Sequence, residues 1–91
     1  MKNKTLDISA VDVSGQNVVN VSRLDREMSV GELLDSLVPK MRLPVLGNGR
    51  RITYHARHDR TGQHLHASQL LADTGLEDED RITVQPSIQA G

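Results

Sequence analysis

The sequence predicts an α+β domain in the order ββαββ(short helix)β, a mixed sheet packed on one helix. Three observations carry that prediction. Two Val-rich alternating segments open the chain, one capped amphipathic segment follows, and alternating segments resume beyond a Pro/Gly-rich stretch. A chain of 91 residues makes one domain with one modest core. Residues 1–85 are expected to form that domain and residues 86–91 a flexible C-terminal tail.

From Thr5 to Val13, Leu6, Ile8 and Ala10 alternate with Thr5, Asp7 and Ser9 before the parity shifts at Val11 and Val13. This reads as a strand with a bulge or an unusually buried end. The turn residues Ser14-Gly15-Gln16-Asn17 lead to a second strand over Val18 to Leu24, closing a hairpin. Ser29-Val30-Gly31-Glu32 has capping-box spacing, with Met28 and Leu33 at the positions of a hydrophobic staple. Val30, Leu33, Leu34, Leu37 and Val38 share one helical face, and Pro39 disfavours helical geometry at Val38, so the helix is expected to end near there.

Residues 39 to 49 read as a partly packed loop. Ile52, Tyr54 and Ala56 then alternate with Thr53, His55 and Arg57 as a third strand. Asp59 to Gly62 make a turn into a short fourth strand around His64 to His66. Ala67 to Ala72 suit one helical turn, with Ser68 as a candidate cap, and residues 81 to 85 form the last strand.

Composition excludes several function classes. Tyr54 is the only aromatic residue, which removes aromatic stacking as a means of holding single-stranded nucleic acid. The net charge of −1 gives no basic field for a duplex, so no nucleic-acid partner is expected. Charge is segregated locally: Arg50, Arg51, Arg57 and Arg60 precede Asp73 and the acidic run Glu77 to Asp80. Most such runs are solvated faces, and Glu77 to Asp80 reads first as a polar turn before the last strand, although opposite patches on a small domain also orient docking partners. Cysteine is absent, which excludes disulfides and thiolate chemistry. The N-terminus lacks the apolar region of a signal peptide, and no window approaches roughly 18 apolar residues, so a cytoplasmic chain without membrane insertion is expected.

Against this background the element order is that of a β-grasp domain, and the residues resemble ubiquitin. Leu65, Leu71, Leu76, Ile82 and Val84 follow one another at separations of six, five, six and two positions, as do ubiquitin's aliphatic core residues. No gap is needed from Leu65 to Gly91, which falls where mature ubiquitin has its conjugated glycine. A second gapless block runs through Leu24, Ser29, Val30, Leu33 and Leu37. The two blocks cover about half the chain. The same spacing is shared by other β-grasp proteins, including the YukD/EsaB-like proteins of bacterial secretion systems.

The departures carry information too. Ubiquitin's Leu-Arg-Leu-Arg-Gly-Gly is here Pro86-Ser87-Ile88-Gln89-Ala90-Gly91, so an activating enzyme that reads the tail arginines is not expected to accept it. Gln85 and Thr83 replace the valine and histidine of ubiquitin's apolar recognition patch. Gln63 and Asp78 stand where ubiquitin has its two best-known chain-forming lysines, and the only lysines are Lys2, Lys4 and Lys40. What remains resembles bacterial ubiquitin-like proteins ending in Ala-Gly or a similar pair.

The resemblance implies a protein modifier. Gly91, preceded by Ala90, would be activated by an adenylating enzyme, passed to a conjugating enzyme and attached to target proteins, making the chain a substrate and not an enzyme. Glycine suits this role because no Cβ shields its carboxyl carbon. Pro86 would end strand pairing and set the exit direction, and Ile88, beside Gln89, would anchor the tail in a partner's groove, unless it packs back on the domain. The alternative is a non-conjugated adaptor, and a sulfur carrier is weakened by Ala90. No cofactor or metal is expected: His64-x-His66 would share a strand face, but no third ligand has suitable spacing, and solvated outer-face histidines explain the pattern. No nucleophile elbow is present, and Gly47-Asn48-Gly49-Arg50-Arg51 lacks the lysine and strand-to-helix setting of a phosphate loop.

Overall fold

The computed structural model describes residues 5–47 and 49–87. In chain order the elements are β1 (Thr5–Asp12), β2 (Val18–Asp25), α1 (Val30–Lys40), β3 (Leu46–Gly47), β4 (Arg50–Arg51), β5 (Thr53–His58), β6 (Gln63–Leu65) and β7 (Arg81–Ser87), with a single 3₁₀ turn at Leu71–Asp73. The main sheet has the order β2-β1-β7-β5-β6, and β3 and β4 form a separate two-stranded ribbon. β1 and β7 run parallel at its centre, and every other adjacent pair in the main sheet is antiparallel.

Alternation decides which face is buried. Leu6, Ile8 and Ala10 of β1, Ala56 of β5, Leu65 of β6 and Ile82 and Val84 of β7 turn toward α1, which meets them with Val30, Leu33, Leu34 and Leu37. Each of those leucines is worth about 1.5–3 kcal/mol on burial, so an aliphatic set suffices where aromatics are missing. Leu71 and Leu76 complete the core from the connection between β6 and β7.

The hairpin bulge lies elsewhere than the parity shift suggested. The register slips between Leu6 and Ile8, where Arg23 of β2 takes φ 59° and its N–H donates to Asp7 Oδ1 at 2.8 Å. Val11 keeps its outward parity and is buried because it stands between Val18 and Thr83 in the two ladders.

The helix also runs further than Pro39 suggested. Pro39 lies in its last turn, where its ring forfeits one helical bond, and Met41, only 3% exposed, caps the end by donating to Leu37 O at 2.8 Å. Leu43 N–H donates to Val38 O and Arg42 N–H to Pro39 O, with Arg42 at φ 55°. This is a Schellman closure with arginine in the usual glycine position. Its start follows the capping box: Ser29 Oγ accepts the Glu32 N–H at 3.1 Å, while the Glu32 carboxylate meets the Ser29 hydroxyl and not its backbone N–H. Part of the expected loop is the β3–β4 ribbon, and the 3₁₀ turn is preceded by Leu70 with no side-chain cap, so Ser68 does not cap it.

Candidate functional site at the end of the last strand

β7 was expected to stop at residue 85, with Pro86 ending the pairing. It continues instead to Ser87, pairing Pro86 with Tyr54 and Ser87 with Thr53. Backbone parity explains why proline is tolerated. Asp80 O accepts from Ser9 on the β1 side and Arg81 O from Asp59 on the β5 side, so even-numbered residues of β7 face β1. The β1 ladder ends at the Asp12–Val84 pair, and the N–H that Pro86 lacks would have pointed into that open edge. Pro86 is half-buried. Ile88, Gln89, Ala90 and Gly91 lie outside the described residues, so the tail positions assigned a conjugation or anchoring role are continuous with a paired strand whose last placed residue is Ser87.

Beside this outlet lies a groove of about 900 Å³ between α1 and the start of β5, with Leu34, Val38, Leu43, Val45, Ile52 and Tyr54 among its walls. The Tyr54 hydroxyl donates to Pro44 O at 2.6 Å, tying the loop after α1 to β5. Burial raises the Tyr54 phenol above its ordinary value.

The outer face of the sheet is polar. His55 Nε2 lies 3.1 Å from Gln85 Oε1, the Thr83 hydroxyl donates to Asp59 Oδ1, and Arg57 approaches the same carboxylate oxygen at 3.8 Å. Gln85 and Thr83 are thus engaged in a hydrogen-bonded surface where ubiquitin was noted above to carry an apolar patch. The rings of His55 and His64 lie 5.3 Å apart. His66 falls beyond β6, with its N–H donating to Gln69 Oε1, so it does not continue the strand face with His64. Among the described residues no cluster of three or more His, Cys, Asp or Glu side chains could hold a metal ion.

Unlike His55 and His64 on that outer face, His58 is turned inward by the alternation of β5. It is 1% exposed and its Nε2 lies 2.8 Å from Asp80 Oδ2. Asp80 also accepts the Glu77 N–H and both Nε and Nη2 of Arg60. Burial pushes the Asp80 carboxyl up, but the Glu77 amide, Arg60 and His58 together outweigh it and hold Asp80 below the ordinary carboxylate value. The acidic run before β7 is therefore a locked turn as well as a polar one: Asp78 Oδ1 accepts the Asp7 N–H at 3.0 Å and Asp7 O accepts the Glu79 N–H.

Solved structures share this architecture. A ubiquitin of Caldiarchaeum subterraneum superposes with a TM-score of 0.70 at 17% identity, over 96% of this chain and 99% of that one. The fold is ubiquitin-like. The ubiquitin-like domain of Plasmodium falciparum Dsk2 gives 0.71 at 16% identity, over 91% of this chain and 99% of its own. A chain of an ESX-5 inner membrane complex gives 0.70 at 18% identity, and 98% of this chain covers only 22% of it. The sequence itself matches no protein-family model and no curated protein. Among the described residues, no helix of this ubiquitin-like domain is long and apolar enough to cross a membrane.

Proposed function

We propose that the chain is a ubiquitin-like protein modifier of a bacterial conjugation pathway, working in the cytoplasm. The observation that carries this reading is the course of β7: on a ubiquitin-like fold, the central strand runs past the end of β1 and delivers the chain through Pro86 and Ser87 toward Ala90-Gly91. An adenylating partner would activate the Gly91 carboxyl once that residue is terminal, and a conjugating enzyme would transfer it to a target nucleophile. The domain's part is presentation: a rigid sheet fixes where the tail starts, and the small Ala90 and Gly91 permit entry into a narrow catalytic channel.

The test is to express the tagged protein in its native host beside a Gly91 deletion and purify both under denaturing conditions. Tryptic digests are then searched for targets bearing the branch from Ile82 to Gly91, which trypsin releases after Arg81. Branched peptides present only with the intact tail support conjugation; their absence from both samples rejects it under those conditions.

A second reading is favoured by the likeness to part of an ESX-5 inner membrane complex chain. Under it the domain is a non-conjugated adaptor that docks on a secretion or signalling partner through its sheet or charged turns. Native purification discriminates the two, because the adaptor recovers the same partners with and without Gly91.

A further inference from the structure

β5 has a gap on one flank. Its odd-numbered residues turn their backbone groups toward β7, in line with the Asp59 N–H bond to Arg81 O just beyond its end, so its even-numbered residues face β6. His58 and Ala56 meet Gln63 and Leu65 there, and at the other end the Ile52 N–H donates to Val45 O at 2.8 Å. Tyr54 lies between them. The β6 ladder ends at Leu65, and among the described residues no backbone partner meets the Tyr54 N–H or C=O on that flank. His66 leaves the ladder, its N–H bonded to Gln69 Oε1, and Ala67 O is spent on the Gly31 N–H.

This gap is the strand wall of the apolar groove. The stretch from Ala56 to Ile52 covers roughly 13 Å, which leaves room for about three extended residues. The facing wall is α1, through Leu34 and Val38, with Ala67 near the start of the helix and Val45 at the other end. A residue placed directly opposite Tyr54 shares its face of the sheet, so its side chain turns inward toward α1, while its two neighbours turn outward as Thr53 and His55 do. Charge adds a direction. Asp35 stands midway along the helix wall and Arg51 at the Val45 end; both are exposed, and neither enters an ion pair among the described residues.

We propose that the groove docks a short extended segment of a partner protein, which pairs by its backbone with Tyr54 and buries one aliphatic side chain against Leu34 and Val38. The open N–H and C=O of Tyr54 specify a main chain and not merely an apolar body, because one residue of a strand running in the sense of β6 satisfies both. In that sense a basic residue on the N-terminal side of the segment meets Asp35, and an acidic one on the C-terminal side meets Arg51. The inference goes beyond the proposed function and rests on neither of its readings, since a modifier and an adaptor would present this surface alike.

The blocked peptide acetyl-Lys-Thr-Leu-Thr-Glu-amide, titrated into isotope-labelled protein and followed by NMR, tests it. So small a contact is expected to bind with roughly millimolar affinity. The Tyr54 amide signal should move downfield and gain protection from hydrogen exchange, the Leu34 and Val38 methyl signals should shift, and Asn20 and Val21 of β2 should stay unmoved. N-methylation of the peptide's leucine should weaken binding by about fivefold. Replacing that leucine by serine, or Val38→Lys in the protein, should abolish it, and Arg51→Glu at an exposed position should weaken it by about two- to fivefold with the fold intact. A Tyr54 amide already protected in the free chain overturns the proposal. So does equal binding of the parent and N-methylated peptides, which would make the groove a cavity for any apolar molecule, and so do groove signals unmoved at about 10 mM peptide. Groove shifts that grow with protein concentration overturn it in favour of a second copy, and shifts that appear without peptide when the chain is shortened to end at Ser87 overturn it in favour of the chain's own tail.

Discussion

His58 Nε2 and Asp80 Oδ2 stand 2.8 Å apart across the β5–β7 boundary, with the imidazole 1% and the carboxylate 12% exposed. This pair joins the end of β5 to the turn that aims β7. Asp80→Asn keeps the size of the side chain and removes the charge that His58 and Arg60 share. A buried polar group left short of a partner costs about 1–3 kcal/mol. The unfolding free energy is expected to fall by that amount, read as a lower urea midpoint with an unchanged slope. Arg60→Ala should cost clearly less, because the Arg60 side chain is 52% exposed and its ion pairs are screened. Equal losses in the two variants would contradict the buried pair as the dominant element.

The same carboxylate sets an acid limit. Asp80 is held below its ordinary value of 3.8 in the folded chain, because the bonds from Glu77, Arg60 and His58 outweigh the effect of burial. A depressed folded pKa contributes stability that is present above the unfolded value and lost as pH falls through the folded one. Urea midpoints measured from about pH 5 down to about pH 2 should therefore drop more steeply for the natural chain than for Asp80→Asn. Asp12 is also depressed, by its bond from Ser14 first, but it is present in both proteins and cancels in the comparison. Parallel profiles would exclude Asp80 as the source.

Tyr54 offers a probe of the groove. It is the sole aromatic, so ultraviolet absorbance above pH 9 or so reads this phenol alone. Burial raises it above 10.0, and the titration midpoint should lie above that value in the folded chain and return to it in urea. The sign follows: the unfolded chain releases its proton first, so the fold loses stability as pH rises beyond the unfolded value. Tyr54→Phe removes the 2.6 Å bond to Pro44 O and should cost about 0.5–1.5 kcal/mol, since that carbonyl is left to water.

Much of the fold was legible because its signals are local. The Ser29–Glu32 spacing, the helical face from Val30 to Leu37 and the alternation of β5 and β7 each need only neighbours in sequence. The boundaries depended on partners that sequence does not display. Pro86 stays in the sheet because β1 ends opposite Val84, and α1 outruns Pro39 because Met41 is drawn into the core and Arg42 accepts a left-handed conformation. The burial of His58 was readable in principle. The parity that turns Tyr54 and Ala56 inward turns His58 inward as well, and a buried histidine requires a polar partner. Its partner, Asp80, was concealed within an acidic run that otherwise describes an exposed turn.

Gly31 shows how packing reverses a propensity. In an exposed helix interior, replacing glycine by alanine gains about 1 kcal/mol. Here an added Cβ would lie 3.2 Å from Ala67 O, the acceptor of the Gly31 N–H at 2.9 Å. The methyl group would displace that carbonyl and weaken one of the bonds that satisfy the helix's first amides, alongside Val30 N–H to Gln69 O. Gly31→Ala is therefore expected to leave the melting temperature unchanged or lower. Ser36→Ala, on the exposed face of α1, should raise it by the increment due to about 0.5 kcal/mol of propensity. Ser29→Ala should lower it, because the lost cap is worth about 1 kcal/mol. A gain at Gly31 as large as the full propensity difference would show that the segment around Ala67 yields freely, and that α1 is not tied to it.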